Sequence, residues 1–157
     1  MRSILIFNFL FLTFATQAIG HIVIEAPQGW YLNRNYMGMD YALFTPYKPN
    51  RLQPILFVHT DKGVYTDKSS LNFLLSETKK NPEAFVLSSG LVSIQNSKAA
   101  FIKMSRQKGN ETVLEYMVMV PHGKEYHMLV FSAPEDYFED YSADVKMIVQ
   151  KARLTEK

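Results

Sequence analysis

The chain has 157 residues, 47% of them hydrophobic and 20% charged, which is the composition of one ordinary globular domain. Its 17 Lys and Arg nearly balance its 15 Asp and Glu, and the lysines are scattered, so the sequence lacks the basic surface of a nucleic-acid binder and the polybasic patch of a membrane-surface protein. Cysteine is absent, which excludes a thiol nucleophile, a cysteine metal site and a lipid-modified cysteine.

Residues 1–20 have the pattern of a secretory signal peptide. Arg2 precedes an apolar run, and Ala18 and Gly20 are the small residues expected before a cleavage site. The run is shorter than the about 20 apolar residues that span a membrane. We therefore predict a signal cleaved after Gly20 or after Ala18, with an uncleaved anchor as the alternative. The mature chain, 21–157, is then a single periplasmic or secreted domain with no stable membrane anchor.

The first half of the mature chain predicts strands and one helix. Short β segments are expected on both sides of a turn at 27–29, followed by strands at 40–47 and 54–61. The last of these is a continuous apolar run, which is typical of a strand buried on both faces of a sheet. Residues 66–80 begin with N-cap candidates, continue with an apolar stripe and end in lysines, as a helix does.

The second half predicts mostly β-structure. Four strands are expected, at 84–96, 98–106, 112–120 and 124–131, and the connections between them are short. Short connections favour antiparallel pairing of consecutive strands. Both faces of the third strand are largely apolar, as in a central strand covered from each side. The fold class predicted is therefore α+β with an antiparallel sheet.

A last helix is predicted after these strands. Ser132 and Glu135 match the capping-box pattern, and Pro134 is tolerated in a first helical turn. Apolar residues then recur at steps of three and four, which predicts a buried face. These residues are Phe138, Tyr141, Val145, Ile148, Val149 and Ala152.

The acidic residues of this helix allow two interpretations. Negative charge near a helix N-terminus is favoured by the helix dipole, so the acids can be a solvated face. They can also lie on one side of the helix and bind a cation or a partner, although calcium takes six to eight oxygens and usually uses loop carbonyls. The candidate metal site consists of Asp136, Glu139, Asp140 and Asp144, and calcium is the one cofactor considered.

Three common catalytic motifs are absent from the sequence. The G-x-S-x-G, P-loop and H-E-x-x-H patterns are all missing, and we predict no catalytic residues and no enzyme activity. Methionine and tyrosine are densest around Gly38, where Tyr36, Met37, Met39 and Tyr41 can line an adaptable partner-binding groove. Core filling or a β-turn is the alternative for these four residues.

The order of these elements resembles the PsbP-like family, which includes the extrinsic photosystem II subunit P and DcrB-type bacterial envelope proteins. The resemblance rests on the opening "APQGWYL", the mid-chain "SSLNFLLSETKK" and the closing "YHMLVFSAPEDYFEDYSADVKMIV". It implies an antiparallel sheet sandwiched between helices, an α/β/α arrangement, over almost the whole mature chain. The family also includes a Ran-binding nuclear import factor. The residue patterns by which family members act at the manganese cluster or contact Ran are not recognisable in this sequence.

The resemblance also implies a class of role, since these domains usually act as non-catalytic binding or assembly partners. Some bacterial relatives look like immunity proteins that bind exported toxins, sometimes with calcium. The leading hypothesis is a non-enzymatic domain that binds another exported or envelope-associated protein, such as a toxin or an assembly partner. The alternative is a periplasmic carrier of a small molecule or of a metal such as calcium.

Overall fold

The structure is a computed structural model that describes residues 16–19, 22–46 and 52–155, with backbone alone for 16–19. The strands are β1 (Thr16–Ile19), β2 (Ile22–Glu25), β3 (Tyr31–Arg34), β4 (Tyr41–Phe44), β5 (Ile55–Lys62), β6 (Ala84–Ile94), β7 (Ser97–Lys108), β8 (Glu111–His122), β9 (Glu125–Pro134) and β10 (Arg153–Leu154). The helices are α1 (Asp67–Lys79) and α2 (Glu135–Lys151), and a 3-10 turn covers Tyr36–Gly38.

Seven strands form the main antiparallel sheet, in the order β3-β4-β5-β9-β8-β7-β6. Strands β6 to β9 follow one another as a meander, because each pair is joined by a short turn. The first three strands of the sheet join this meander through β5, which pairs with β9 along its whole length. Strands β1, β2 and β10 form a separate three-stranded sheet.

The two helices pack on opposite faces of the main sheet. Helix α2 covers the larger core, which includes Trp30, Val118, Phe131 and Ile148. Helix α1 covers a smaller core of Leu74, Ala100, Ile102 and Met119, and its N-terminus is capped by Thr66, whose side chain accepts a hydrogen bond from the Ser69 backbone N–H. The antiparallel sheet sandwiched between helices is therefore confirmed.

The buried face predicted for α2 is also confirmed. Four residues of the predicted stripe are buried within the helix, and Tyr141 packs edge-on against Trp30 with ring centroids 5.8 Å apart. The capping box predicted at its start is wrong. Ser132 belongs to β9, where it pairs with Glu115 of β8, so its side chain is held by the sheet and the helix begins only after Pro134.

The prediction that β5 is buried on both faces is wrong for one of them. Leu56 and Val58 are buried under α2, but Ile55 and Phe57 on the other face are only half-buried. The reason is that α1 packs mainly over β6, β7 and β8, at the other end of the sheet from β3 and β4. Instead of α1, Tyr36 of the 3-10 turn covers part of this face of β5, and its ring lies 6.2 Å from the ring of Phe57.

Part of the predicted signal peptide lies within the described residues. The backbone of β1 pairs with β2, so Thr16 lies opposite Glu25 and Ile19 opposite Ile22. The remainder of residues 1–20 lies outside the described part, and the cleavage site stays a prediction. Removal of β1 would leave β2 paired with β10 alone. Among the residues that the structure describes, neither α1 nor α2 has the length and hydrophobicity of a membrane-spanning helix.

Candidate functional site

Strand β6 forms one end of the main sheet and carries no charged residue along its 11 positions, AFVLSSGLVSI. It pairs with β7 on one side, and no strand of the described chain pairs with its other side. Four of its apolar side chains are exposed, from 41% for Val86 to 72% for Phe85, with Leu87 and Leu91 between these values. This strand is therefore an uncharged, apolar sheet edge that reaches the solvent.

Edge strands of this kind are unusual because natural proteins normally protect them. Lysines, prolines, short length and β-bulges all prevent a sheet edge from pairing with another chain. Of these, β6 has only a bulge, where the register with β7 shifts between Val86 and Ser88. From Ser88 to Ile94 the ladder to β7 is regular, so an added strand would meet seven residues in extended geometry.

A cavity of about 280 Å³ lies beside this edge, between α2 and the sheet. We call it the edge pocket. Its floor is apolar and is formed by Phe101, Tyr116, Phe138 and Val145. Its rim is polar and is formed by Ser88, Lys103, Glu139, Ser142 and Lys146.

The edge pocket opens toward β6 because two residues of that strand are small. Ser88 lies opposite Lys103 and Gly90 lies opposite Phe101, so both face α2. A Cβ atom at Gly90 would lie 3.1 Å from Cε1 of Phe101, which is tighter than ordinary van der Waals contact. The absence of a side chain at this position allows the Phe101 ring to lie against the strand, and no large side chain separates the floor from the sheet edge.

Lys103 and Glu139 form an ion pair across the rim. The Lys103 ammonium lies 3.0 Å from the Glu139 carboxylate and 4.5 Å from the centre of the Phe138 ring. The hydrogen bond and positive charge of Lys103 lower the pKa of Glu139. Burial raises the pKa of Tyr116 on the floor, so its hydroxyl stays protonated at neutral pH.

Replacement of Lys103 by methionine should raise the pKa of Glu139 toward its ordinary value, since the hydrogen bond and the neighbouring charge are both lost. Because the pKa of Glu139 is lowered in the folded protein, this pair stabilises the fold at pH values above the ordinary pKa of a glutamate. The stabilisation is lost as the pH falls through the pKa of Glu139 in the folded protein. A carbon-detected NMR titration of the Glu139 carboxyl measures the change. Lys103→Arg, which keeps a cation, should preserve the lowered pKa, and an unchanged titration in Lys103→Met would contradict the assignment.

The four acids predicted as a metal site all lie on α2. Glu139 pairs with Lys103 on the rim of the edge pocket, whereas Asp136 lies in the first turn of α2, near Glu135. Across the described ranges, no three His, Cys, Asp or Glu side chains come together in an arrangement that could hold a metal ion. Such a cluster is therefore not seen for the described acids of α2, which include Asp140 and Asp144, and the calcium site stays a prediction.

The four residues predicted as a partner-binding group divide between surface and core. Met37 is exposed at a backbone φ of 50°, and two neighbouring residues, Tyr36 within the 3-10 turn and Met39 directly after it, are half-buried. Tyr41 is fully buried in the core under α2, where burial raises the pKa of its hydroxyl, so it has no surface to offer a partner. Sequence reasoning predicted the strand at 84–96 but did not recognise it as a candidate site, although the absence of any charge over residues 84–94 was the signal that could have found it.

No family model matches this sequence, and no curated protein matches it either. Several solved structures do match its fold. One is LpqN of Mycobacterium tuberculosis, a protein involved in cell envelope biogenesis, with a TM-score of 0.68 and 18% identity over 86% of this chain and 83% of LpqN.

Two other matches extend this comparison. A Pseudomonas aeruginosa protein of unknown function, PA94, has a TM-score of 0.64 and 11% identity over 92% of this chain and 97% of that one. Cyanobacterial PsbP from Synechocystis has a TM-score of 0.56 and 9% identity over 85% of this chain and 86% of that one. The chain therefore has the PsbP-like fold, as the sequence resemblance implied.

Proposed function

We propose that this protein is a non-catalytic binding domain of the cell envelope that holds an extended segment of another exported protein against β6. The observation that carries the proposal is the uncharged edge of β6, with its exposed apolar side chains. A toxin neutralised by the domain and an envelope component assembled by it are the two classes of partner that fit this role.

The chemistry of a sheet edge supports strand addition as the binding mode. An unpaired edge presents a row of backbone N–H and C=O groups, and an added strand satisfies them with ladder hydrogen bonds. The same addition covers apolar side chains on both faces of the strand, because Leu91 points to the α1 face and Phe85 to the α2 face. Affinity then comes from backbone pairing and from burial of apolar surface together.

The location rests on two independent indications. The N-terminal residues have the pattern of a signal peptide. The fold is shared with LpqN, which is involved in cell envelope biogenesis. The G-x-S-x-G, P-loop and H-E-x-x-H motifs are absent from the sequence, and no known catalytic motif contributes to the lining of the edge pocket.

Photo-crosslinking from β6 tests this proposal. A photoreactive phenylalanine analogue is placed at Leu91, and in a second variant at Val64, which is exposed in the loop after β5. In cells of the source organism, we expect a discrete crosslinked protein from position 91 and none from position 64. With that protein purified, Leu91→Lys should weaken binding about 10-fold or more, because a lysine at an edge opposes strand pairing, whereas Val64→Lys should not.

Equal crosslinking from both positions, or unchanged affinity in Leu91→Lys, would overturn strand addition at β6. The Lys substitution is compatible with folding because Leu91 is partly exposed already. Circular dichroism of each variant confirms that the comparison is made between folded proteins.

Small-molecule carriage is a second candidate, favoured by the apolar floor and polar rim of the edge pocket. Native mass spectrometry of protein purified from the envelope distinguishes the two functions. A stoichiometric small molecule that is lost on substitution of Ser142 by phenylalanine supports carriage. A protein free of ligand that forms a complex with the crosslinked partner supports strand addition.

A further inference from the structure

We infer that the edge pocket selects the partner of β6 by taking one large apolar side chain, aromatic or branched, from the added strand, with an acidic residue two positions away from it. The inference rests on the strand addition proposed above and specifies its chemistry. The occupant is an extended peptide segment of another protein, and its sequence is read on the α2 face of β6.

The alternation of strand residues places the anchor. Successive side chains of an added strand point to opposite faces of the sheet, so every second residue would lie on the α2 face. On that face β6 offers only Ser88 and Gly90 between Phe85 and Val92. Ser88 lines the edge pocket and the Phe101 ring of its floor lies against Gly90, so a side chain above these two small residues would lie beside the floor.

The floor and the volume favour an apolar side chain over a whole small molecule. Rings of Phe101 and Tyr116 lie with their centroids 5.6 Å apart, and Phe138 and Val145 close the pocket from α2. The cavity of about 280 Å³ is slightly below the range of about 300–1,000 Å³ that is typical of small-molecule sites. A single large side chain, attached to a strand that stays outside, needs less space than a complete ligand.

The charges on the rim favour an acidic neighbour. Lys103 is already neutralised by Glu139. Lys146 is exposed on the same rim, and its charge also helps to lower the pKa of Glu139, but no carboxylate in the described part of the chain forms a salt bridge with it. Residues two positions apart in a strand are separated by about 6.6 Å, so a carboxylate there can lie over the rim while the anchor fills the pocket.

A random peptide library of strand length, displayed on phage and selected on the intact protein, tests the inference without knowledge of the natural partner. We expect enriched peptides to carry an aromatic or branched apolar residue and an Asp or Glu two positions from it. Synthetic versions of these peptides are then titrated by fluorescence anisotropy against Leu91→Lys and four further variants of the protein. Two of the four change the space in the pocket, and two change a charge on α2.

Ser142→Phe fills the pocket from α2 and should weaken peptide binding about 10-fold or more, which is the effect of losing the burial of one large apolar side chain. Ser142→Ala leaves the space open and should change affinity less than about 2-fold. Lys146→Glu should weaken binding about 3- to 10-fold, and the effect should shrink as salt is added. Lys151→Glu, on the same helix but away from the pocket, should leave affinity unchanged.

The variants separate failure of the pocket from failure of strand addition. If Leu91→Lys abolishes binding but Ser142→Phe and Lys146→Glu do not weaken it, the pocket inference is overturned and strand addition stands. If Leu91→Lys has no effect on the selected peptides, strand addition at β6 is overturned. Lys146→Glu changes only an exposed side chain, so it keeps the test valid if Ser142→Phe should fail to fold.

Discussion

Replacement of Phe131 by alanine should lower the free energy of unfolding by about 3–5 kcal/mol, the usual cost of removing a large aromatic side chain from a packed core. Phe131 is fully buried in β9 at the centre of the α2 face. Its ring lies 5.3 Å from that of Phe138 and 6.2 Å from that of Trp30. The mutation leaves a cavity between α2 and the sheet, because rings on separate elements cannot all move to fill it.

Urea denaturation followed by circular dichroism measures this effect. The matched control is Phe85→Ala, which removes the same side chain from an exposed position and should change stability by less than about 0.5 kcal/mol. If the free energy of unfolding falls by a similar amount in Phe131→Ala and Phe85→Ala, the core under α2 is not centred on Phe131. The slope of unfolding free energy against urea should stay constant, since both variants retain the same fold.

Replacement of Arg106 by methionine should cost about 2–3 kcal/mol, because it leaves the buried carboxylate of Glu115 without its cation. Arg106 Nε lies 2.8 Å from Oε1 of Glu115, and a second guanidinium nitrogen donates to the same oxygen. Glu115 is almost fully buried, whereas Arg106 still reaches the solvent. The partial exposure of Arg106 keeps the cost below the about 3–5 kcal/mol of a completely buried pair.

A double-mutant cycle identifies the cause of this loss. The variant with methionine at both positions 106 and 115 removes the buried charge together with its partner, and it should recover at least about 1 kcal/mol of the cost of Arg106→Met. Lys108→Met, at an exposed position of the same strand, should change stability by less than about 0.5 kcal/mol. Strictly additive effects of the two methionine substitutions would mean that the pair does not act as a unit.

Much of the fold follows from the sequence because its signals are local. The apolar stripe of α2 and the short turns of the meander each depend on residues close together in the chain, and these were predicted correctly. The start of α2 was not, because Ser132 fits a helix cap by sequence but is paired with Glu115 in the sheet. Long-range pairing decided that position over local preference.

The candidate site was harder to predict because it depends on which strand ends the sheet. The residues of β6 show that a strand is present, but strand order is a property of the whole topology. The exposure of its apolar side chains follows from that order, as does the pocket formed where small residues on β6 lie beside α2. By contrast, the acids of α2 attracted attention by type and spacing, yet they do not assemble into a metal site among the residues that the structure describes.

The position of β9 in the sheet has a consequence for the order in which the chain can fold. Residue Ile55 of β5 pairs with Ser132, so the central seam of the sheet joins early and late parts of the polypeptide. A ribosome releases β3, β4 and β5 long before β9, and until then an apolar face and one backbone edge of β5 have no native neighbour. Chaperone protection should therefore matter most for this early segment. A chain truncated before β9 should aggregate, whereas the full-length chain can complete its sheet.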